Sequence, residues 1–451
     1  MGIIIAVLSG FLLALFTPAI FRVARGATGW ILALLPAGLT VYFATLFPLL
    51  AGGEPIVVHR EWVPSLGVGL TFYLDGLSLL FALLVSGIGA LVVIYAGGYL
   101  KGQPRLPRFY TLVLMFMASM LGVVLAGNLL TIFVFWELTG VTSYLLIGMD
   151  HDRAKARAAA LQALLVTTAG GLALMAGMLL LGQAGGSLDL PTLLAGGETI
   201  RNHPLYLPAL LLILLGAFTK SAQAPFHFWL PNAMEAPTPV STYLHSATMV
   251  KAGVYLLARL SPVLGGTDVW YMLLTGVGLV TMLLGAVMAL AQTDFKRILA
   301  YSTVSTLGSL VLLLGIGTPL ASQAAMLFLL VHALYKGALF LVAGAVDHGT
   351  GTRDVTRLGG LAKAMPVTAV AAGLAALSMA GLPPLLGFVN KELFYEASLH
   401  APRAAGWLTG AGVATNALLV AVAAIVGLRP FAGRLAPTDH EPHEAPGAMW
   451  L

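Results

Sequence analysis

Residues 210–240 read LLLILLGAFTKSAQAPFHFWLPNAMEAPTPV, an apolar run that meets Lys220 and then, within a dozen residues, Pro225 and Pro231. Each proline removes a backbone donor and cannot continue a helix. Interrupted helices survive at membrane depth only inside protein or beside water, so the stretch predicts a spanning helix that breaks just after a buried cation. Residues 373–399, GLAALSMAGLPPLLGFVNKELFYEASL, repeat the device with Pro383 and Pro384 placed before Lys391. Two such segments in corresponding positions point to an inverted repeat with ion sites at the breaks. The competing reading, that the prolines merely kink helices, does not account for a lysine beside each break.

Working outward, the whole chain has the same character. It is 59% hydrophobic and 9% charged, with a mean hydropathy of +0.94, which places it in a bilayer and excludes an ordinary soluble domain. Apolar stretches of spanning length fall at 2–21, 29–51, 71–98, 110–126, 128–148, 158–182, 205–231, 240–262, 270–291, 298–317, 322–346, 366–399 and 407–428. The expectation is an all-α polytopic membrane protein of about thirteen transmembrane helices, with the seventh and twelfth broken. Segment 2–21 lacks the charged start and small-residue cleavage site of a signal peptide and reads as the first helix.

Numbering the loops alternately tests this topology. Fifteen Lys and Arg, from Arg22 and Arg25 through Lys296, Arg297, Arg353 and Arg357 to Arg434, fall in one set; Arg60, Arg201, Arg259 and Arg403 fall in the other. By the positive-inside rule the N-terminus lies outside and the end of this chain in the cytoplasm. The net charge of +5 then reports membrane orientation, not nucleic-acid binding. The chain has no Cys, which removes disulfides, thiolate-bound iron–sulfur clusters and a catalytic thiol.

Lys220, Lys251, Lys336 and Lys391 all interrupt apolar runs. At roughly 3 kcal/mol for each lysine at a helix centre, the four oppose insertion by on the order of 10 kcal/mol. Glu137, alone in TIFVFWELTG, joins them, with Lys220 as its expected partner; a static ion pair that sets helix packing is the alternative. His332 and Lys336, four apart, share one helix face. His245 and Lys251, six apart, point in different directions along the eighth segment. Together these residues read as a proton path. Lys391 is its terminal gate, unless it sits at a helix end in headgroup water. Asp75 reads as an N-terminal cap, His227 as either a relay or a loop hydrogen bond, and Asp294, Lys296 and Arg297 as interfacial anchors. Two apolar-embedded histidines would suffice for a haem, but each has a lysine nearby and no other redox signature accompanies them, so no cofactor is expected. No residue pattern identifies a metal or cation site.

The motifs FVFWELTGVTSYLLIG, FTKSAQAPFHFWLPNAMEAPTPVSTYLHSATMVKAGVYLLAR, FKRILAYSTVSTLG, VHALYKGALFLVAG and GLPPLLGFVNKELF resemble the antiporter-like family shared by respiratory complex I and the Mrp-type multisubunit cation/proton antiporters. Lys391 is similar to the largest complex I antiporter-like subunit and to the large Mrp subunit, and Lys251 with the tail HEAPGAMWL is most similar to the large Mrp subunit. The resemblance implies helices 1–3 over residues 1–110, inverted five-helix repeats over 111–262 and 263–430, and a polar tail over 431–451 that stops before a further helix. It implies a Glu137–Lys220 pair, a central relay through His245, Lys251, His332 and Lys336, and a terminal Lys391. Phe328 stands where some relatives carry a further His. The function implied is that of a proton-translocating subunit, not an enzyme, in a Na+ (or other cation)/H+ antiporter of the bacterial cytoplasmic membrane, working with other membrane subunits in the lipid bilayer. The alternatives are a proton-pumping subunit of complex I or a membrane-bound hydrogenase and, in another class, a structural scaffold.

Overall fold

The computed structural model describes residues 2–63 and 68–450. Its main helices are α1 (Gly2–Ala24), α2 (Thr28–Thr45), α3 (Gly76–Tyr99), α4 (Leu106–Leu125), α5 (Leu129–Ile147), α6 (Ala154–Gly185), α7 (Tyr206–Lys220), α8 (Thr238–Ser246), α9 (Ala252–Leu264), α10 (Asp268–Leu290), α11 (Phe295–Ile316), α12 (Pro319–Thr350), α13 (Pro366–Ala380), α14 (Leu386–Leu399) and α15 (Ala405–Gly427). Among the described residues ten stretches are long and apolar enough to cross a membrane, Gly2–Leu50 being one that holds both α1 and α2. Two shorter apolar helices, α7 and α13, stop at the expected breaks. The chain is a multi-pass helical membrane protein.

After Lys220 the backbone passes through Ala222 at positive φ and then three short turns, Phe226–Phe228, Trp229–Asn232 and Ala233–Glu235, before α8 begins. The second break falls between α13 and α14, at Gly381 through Leu385. The third is a correction: the eighth segment, expected as one helix over 240–262, is divided into α8 and α9 around Thr248 (φ −127°, ψ −98°) and a short turn at Met249–Lys251. No proline marks this break. The Val250 carbonyl is instead taken by the Ser221 hydroxyl at 2.6 Å, and Gly253 lets α9 approach α7 so closely that a Cβ there would stand 2.3 Å from the Ala217 carbonyl oxygen.

A β-hairpin, β1 (Ile56–Val63) with β2 (Val68–Leu74), adds an element that a search for spanning lengths does not detect. Its register pairs Ile56 with Leu74 and Val58 with Phe72, with an irregularity between Glu61 and Val63. Phe72 and Leu74 are buried while Val57 is exposed, the period of two expected of a half-buried strand.

The described chain forms two compact units, Met1–Ile94 with Gly102–Ser221 and Ala247–Trp270, and Tyr95–Lys101 with Ala222–Ser246 and Tyr271–Leu451. In the first, α6 packs along α7, α1 along α4, and α5 between α4 and α6. Small residues allow that approach: a Cβ at Gly170 would overlap Thr219 and one at Gly216 would overlap Leu174. In the second, α12 is the central post, contacting α8, α11, α13 and α14. The tail turns at Gly447–Met449; of its last three apolar residues, Leu451 lies outside the described residues.

Candidate functional site

In the first unit α5 and α7 bring Glu137 and Lys220 to one place. Lys220, the last residue of α7, is 1% exposed. Its ammonium donates to the carbonyl of Trp136 at 3.1 Å and lies 5.1 Å from that indole ring's centre. A Cβ on Gly140 would meet the same Nζ at 3.7 Å, and one on Gly171 would lie 2.1 Å from Glu137 Oε1. Two glycines therefore make the room that the charges occupy. The two groups act on each other electrostatically, yet the expected direct contact is not made: the amine's hydrogen bond goes to the peptide preceding Glu137. Lys251 is fully buried at the turn that opens α9.

The second unit holds the remaining predicted residues. His332 and Lys336 are both fully buried on α12. The Lys336 ammonium donates to Ser302 Oγ on α11 at 2.5 Å, and the His332 ring meets Tyr335 edge-on at 5.4 Å. His245, at the end of α8, is fully buried between Trp229 and Phe340, each 6.4 Å away, and neither ring nitrogen has a hydrogen-bond partner among the described residues. Lys391 lies within α14 and reaches back over the break to donate to the Ala380 carbonyl at 2.7 Å. Gly381 is needed there twice, for its φ of 80° and because a Cβ would stand 2.5 Å from Lys391 Cδ. Gly381→Ala is expected to destabilise the protein by about 1–3 kcal/mol, the cost of a strained left-handed alanine, and to move Lys391 off its carbonyl. A lower melting temperature of the purified complex is the check.

Lys296 corrects the expectation of an interfacial anchor. It is 1% exposed and donates to the carbonyl of Ala236, at the end of the broken stretch, at 2.6 Å. Its position one residue inside the N-terminus of α11 resembles that of a surface charge, which is why its spacing gave no signal. Ser302 was missed for a similar reason: a serine in an apolar helix carries no distinctive pattern. Arg259, counted among the loop cations, is likewise only 4% exposed and grips Asp75 through both carboxylate oxygens at 2.5 and 2.7 Å, with Ser78 Oγ at 2.7 Å. Asp75 does cap α3, accepting from the Ser78 amide at 3.0 Å. His227 lies in the short turn Phe226–Phe228 after the first break, and Phe328 packs edge-on against Phe394 at 6.4 Å.

A common rule emerges. Lys220, Lys296 and Lys391 rest on peptide carbonyls and Lys336 on a hydroxyl. A carboxylate partner would hold an amine charged, because opposite charge favours the ionised form. A neutral acceptor serves an ammonium and a neutral amine alike, since both retain N–H donors, and so leaves the proton free to come and go.

Comparison with known proteins was made against this geometry. A family profile described as "NADH:quinone oxidoreductase/Mrp antiporter, TM" matches residues 126–418, and another, "NADH-Ubiquinone oxidoreductase (complex I), chain 5 N-terminus", matches residues 62–110. The chain is 50% identical over 392 residues to a probable K(+)/H(+) antiporter subunit of Rhizobium meliloti, covering 87% of this chain and 39% of that one. It is 44% identical over 476 residues to a Na(+)/H(+) antiporter subunit of Alkalihalophilus pseudofirmus, covering 99% and 59%. A chain of the Mrp complex from Dietzia sp. superposes with a TM-score of 0.87 at 40% identity over 100% of this chain and 49% of that one. A chain of an archaeal membrane-bound sulfane sulfur reductase superposes with a TM-score of 0.88 at 27% identity, over 99% and 73%. The chain thus spans about half the length of the curated relatives it matches.

Proposed function

Since the chain belongs to the family of membrane subunits shared by NADH:quinone oxidoreductases and Mrp antiporters, we propose that it is a proton-translocating part of the large subunit of a multisubunit cation/proton antiporter, moving protons along Glu137, Lys220, His245, Lys251, His332, Lys336 and Lys391. The observation that carries this reading is the set of buried amines on neutral acceptors beside broken helices. Lys220 at the end of α7 and Lys391 across the α13–α14 break stand in corresponding positions five segments apart, which supports inverted repeats over 111–262 and 263–430. The basic loops support an outside N-terminus in a bacterial cytoplasmic membrane.

Partner subunits are part of the proposal. Glu137 is half-buried and shares its helix stripe with Val134 and Val141, which are 41% and 49% exposed. A carboxylate on such a stripe at mid-membrane requires cover by another protein chain, in keeping with the multisubunit Mrp complex to which this chain is similar. The exchanged cation is proposed as Na+, after the name of the Alkalihalophilus pseudofirmus relative. The likeness to a respiratory sulfur reductase favours a second reading, in which the same path is driven by redox chemistry in partners; the proteins that copurify with the chain distinguish the two.

The test is Glu137→Ala in the assembled complex, with cation-driven proton flux measured in membrane vesicles. Exchange is expected to fall about a hundredfold or more, the loss of one well-placed proton carrier. Undiminished exchange with normal assembly would remove the proposed role, and loss of assembly with intact flux per complex would favour a scaffold.

A further inference from the structure

The second unit holds a polar cavity of about 270 Å³ at the start of α11, lined by Glu235, Ala291, Gln292, Asp294, Arg297 and Arg353 among others. It is built rather than incidental. Asp294 caps α11 through the Arg297 amide at 2.9 Å and pairs with Arg353 Nε at 3.2 Å, and the backbone amide of Phe295 donates to the Arg353 carbonyl at 2.8 Å. Behind this wall lies Lys296. The charges that act on it are Arg353, Asp294, Asp347 from α12 and Glu235 from the broken stretch, and three of these four line the cavity. An ammonium has three donors, and Lys296 spends one on Ala236. The charge of Lys296 also acts on His245, the buried imidazole whose two nitrogens have no hydrogen-bond partner among the described residues. Along α11, Ser302 and its bound Lys336 lie six residues further, about 9 Å at 1.5 Å per residue.

We propose that this cavity is the cytoplasmic intake of the proton path and that Lys296 is its first buried carrier, linking solvent to His245. The proposal rests on the antiporter reading above. Glu235 and Asp294 draw protons to a mouth whose arginines keep metal cations from settling there. The Lys296 amine takes a proton from the cavity side, and the His245 imidazole accepts one on one nitrogen and releases one from the other. A strut would need only the Lys296 charge and its bond to Ala236; a carrier must also let the proton go.

Two measurements on the assembled complex containing the full-length subunit test this in everted vesicles, whose cytoplasmic face is outward. Lys296→Arg keeps a cation and a donor for Ala236, but guanidinium does not release its proton. Exchange is expected to fall about a hundredfold or more and to lose its dependence on external pH; a rate equal to the parent's would make Lys296 a strut and overturn the proposal. Residues 1–451 hold no Cys, so Ala291→Cys adds a thiol at the cavity wall. A membrane-impermeant anionic methanethiosulfonate added outside is expected to slow exchange at least about tenfold relative to the same vesicles before labelling, with the unsubstituted complex as control. No change on complete labelling overturns the intake whether or not Lys296→Arg assembles. An inactive Glu137→Ala beside a fully active Lys296→Arg removes the intake alone, whereas an active Glu137→Ala removes the reading beneath it.

Discussion

Lys220→Ala is expected to lower proton flux through the assembled complex about a hundredfold or more, the scale on which a positioned proton-transfer group contributes, with little change in assembly. Lys220 closes α7 at the point where the backbone turns away at Ser221 and Ala222, and its amine is seated on the Trp136 carbonyl under the indole face. Alanine removes the only amine in electrostatic contact with Glu137 among the described residues and leaves the Gly140–Gly171 space unfilled. Lys220→Arg separates charge from chemistry. A guanidinium keeps the positive charge beside Glu137 but does not deprotonate, so the variant should be nearly as inactive as Lys220→Ala. Flux per complex in vesicles, normalised to the amount assembled, is the measurement. Recovery of parental flux in Lys220→Arg would show that Lys220 supplies charge alone.

Asp75→Asn is expected to have the largest effect on stability, about 3–5 kcal/mol, because it leaves a buried charge without its partner. Arg259 is 4% exposed and would keep Ser78, Tyr255, the Tyr73 ring and one bond to the amide oxygen, but lose the opposing charge and the second acceptor. The double variant Asp75→Asn/Arg259→Leu should cost less than the sum of the two single changes, the sign of a coupled pair. Thermal melting of the purified protein measures both. The pair also sets a pH dependence. Burial alone would raise the pKa of Asp75, which lies just before α3, but the hydrogen bond and charge of Arg259 more than offset it and hold the carboxyl below the usual carboxylate range. A depressed folded pKa means that the stabilisation is fully present above the ordinary carboxylate value, near about 3.9, and is lost as pH falls through the folded value. Melting curves taken down through acid pH should show this loss in the parent and not in Asp75→Asn.

The breaks marked by proline were legible because a missing backbone donor is a property of the residue itself. So were the buried amines of α7 and α12, because a lysine inside a long apolar run is drawn out of water, whereas Lys391 on α14 is only half-buried. The break at Thr248 was not legible: STYLHSATMVKAG contains no proline, and what divides α8 from α9 is the Ser221 hydroxyl on Val250 and the close seat of Gly253 on α7. The hairpin escaped because its signal has a period of two over short strands and was sought at spanning length.

Composition and spacing alone therefore determined that the chain is a helical membrane protein, which of its helices break at proline, and which lysines interrupt long apolar runs, since hydrophobic length and proline chemistry act locally along the backbone. Tertiary structure alone decided what those amines touch. Lys220 rests on the peptide beside Glu137 and not on its carboxylate, Lys391 crosses a break to Ala380, and Lys296 and Arg259 leave the surface for the interior. A hydrogen bond or an ion pair between residues distant in the chain depends on which helices meet and at what rotation. That is settled by packing small residues such as Gly170, Gly171 and Gly253 against their neighbours, and no local pattern encodes it.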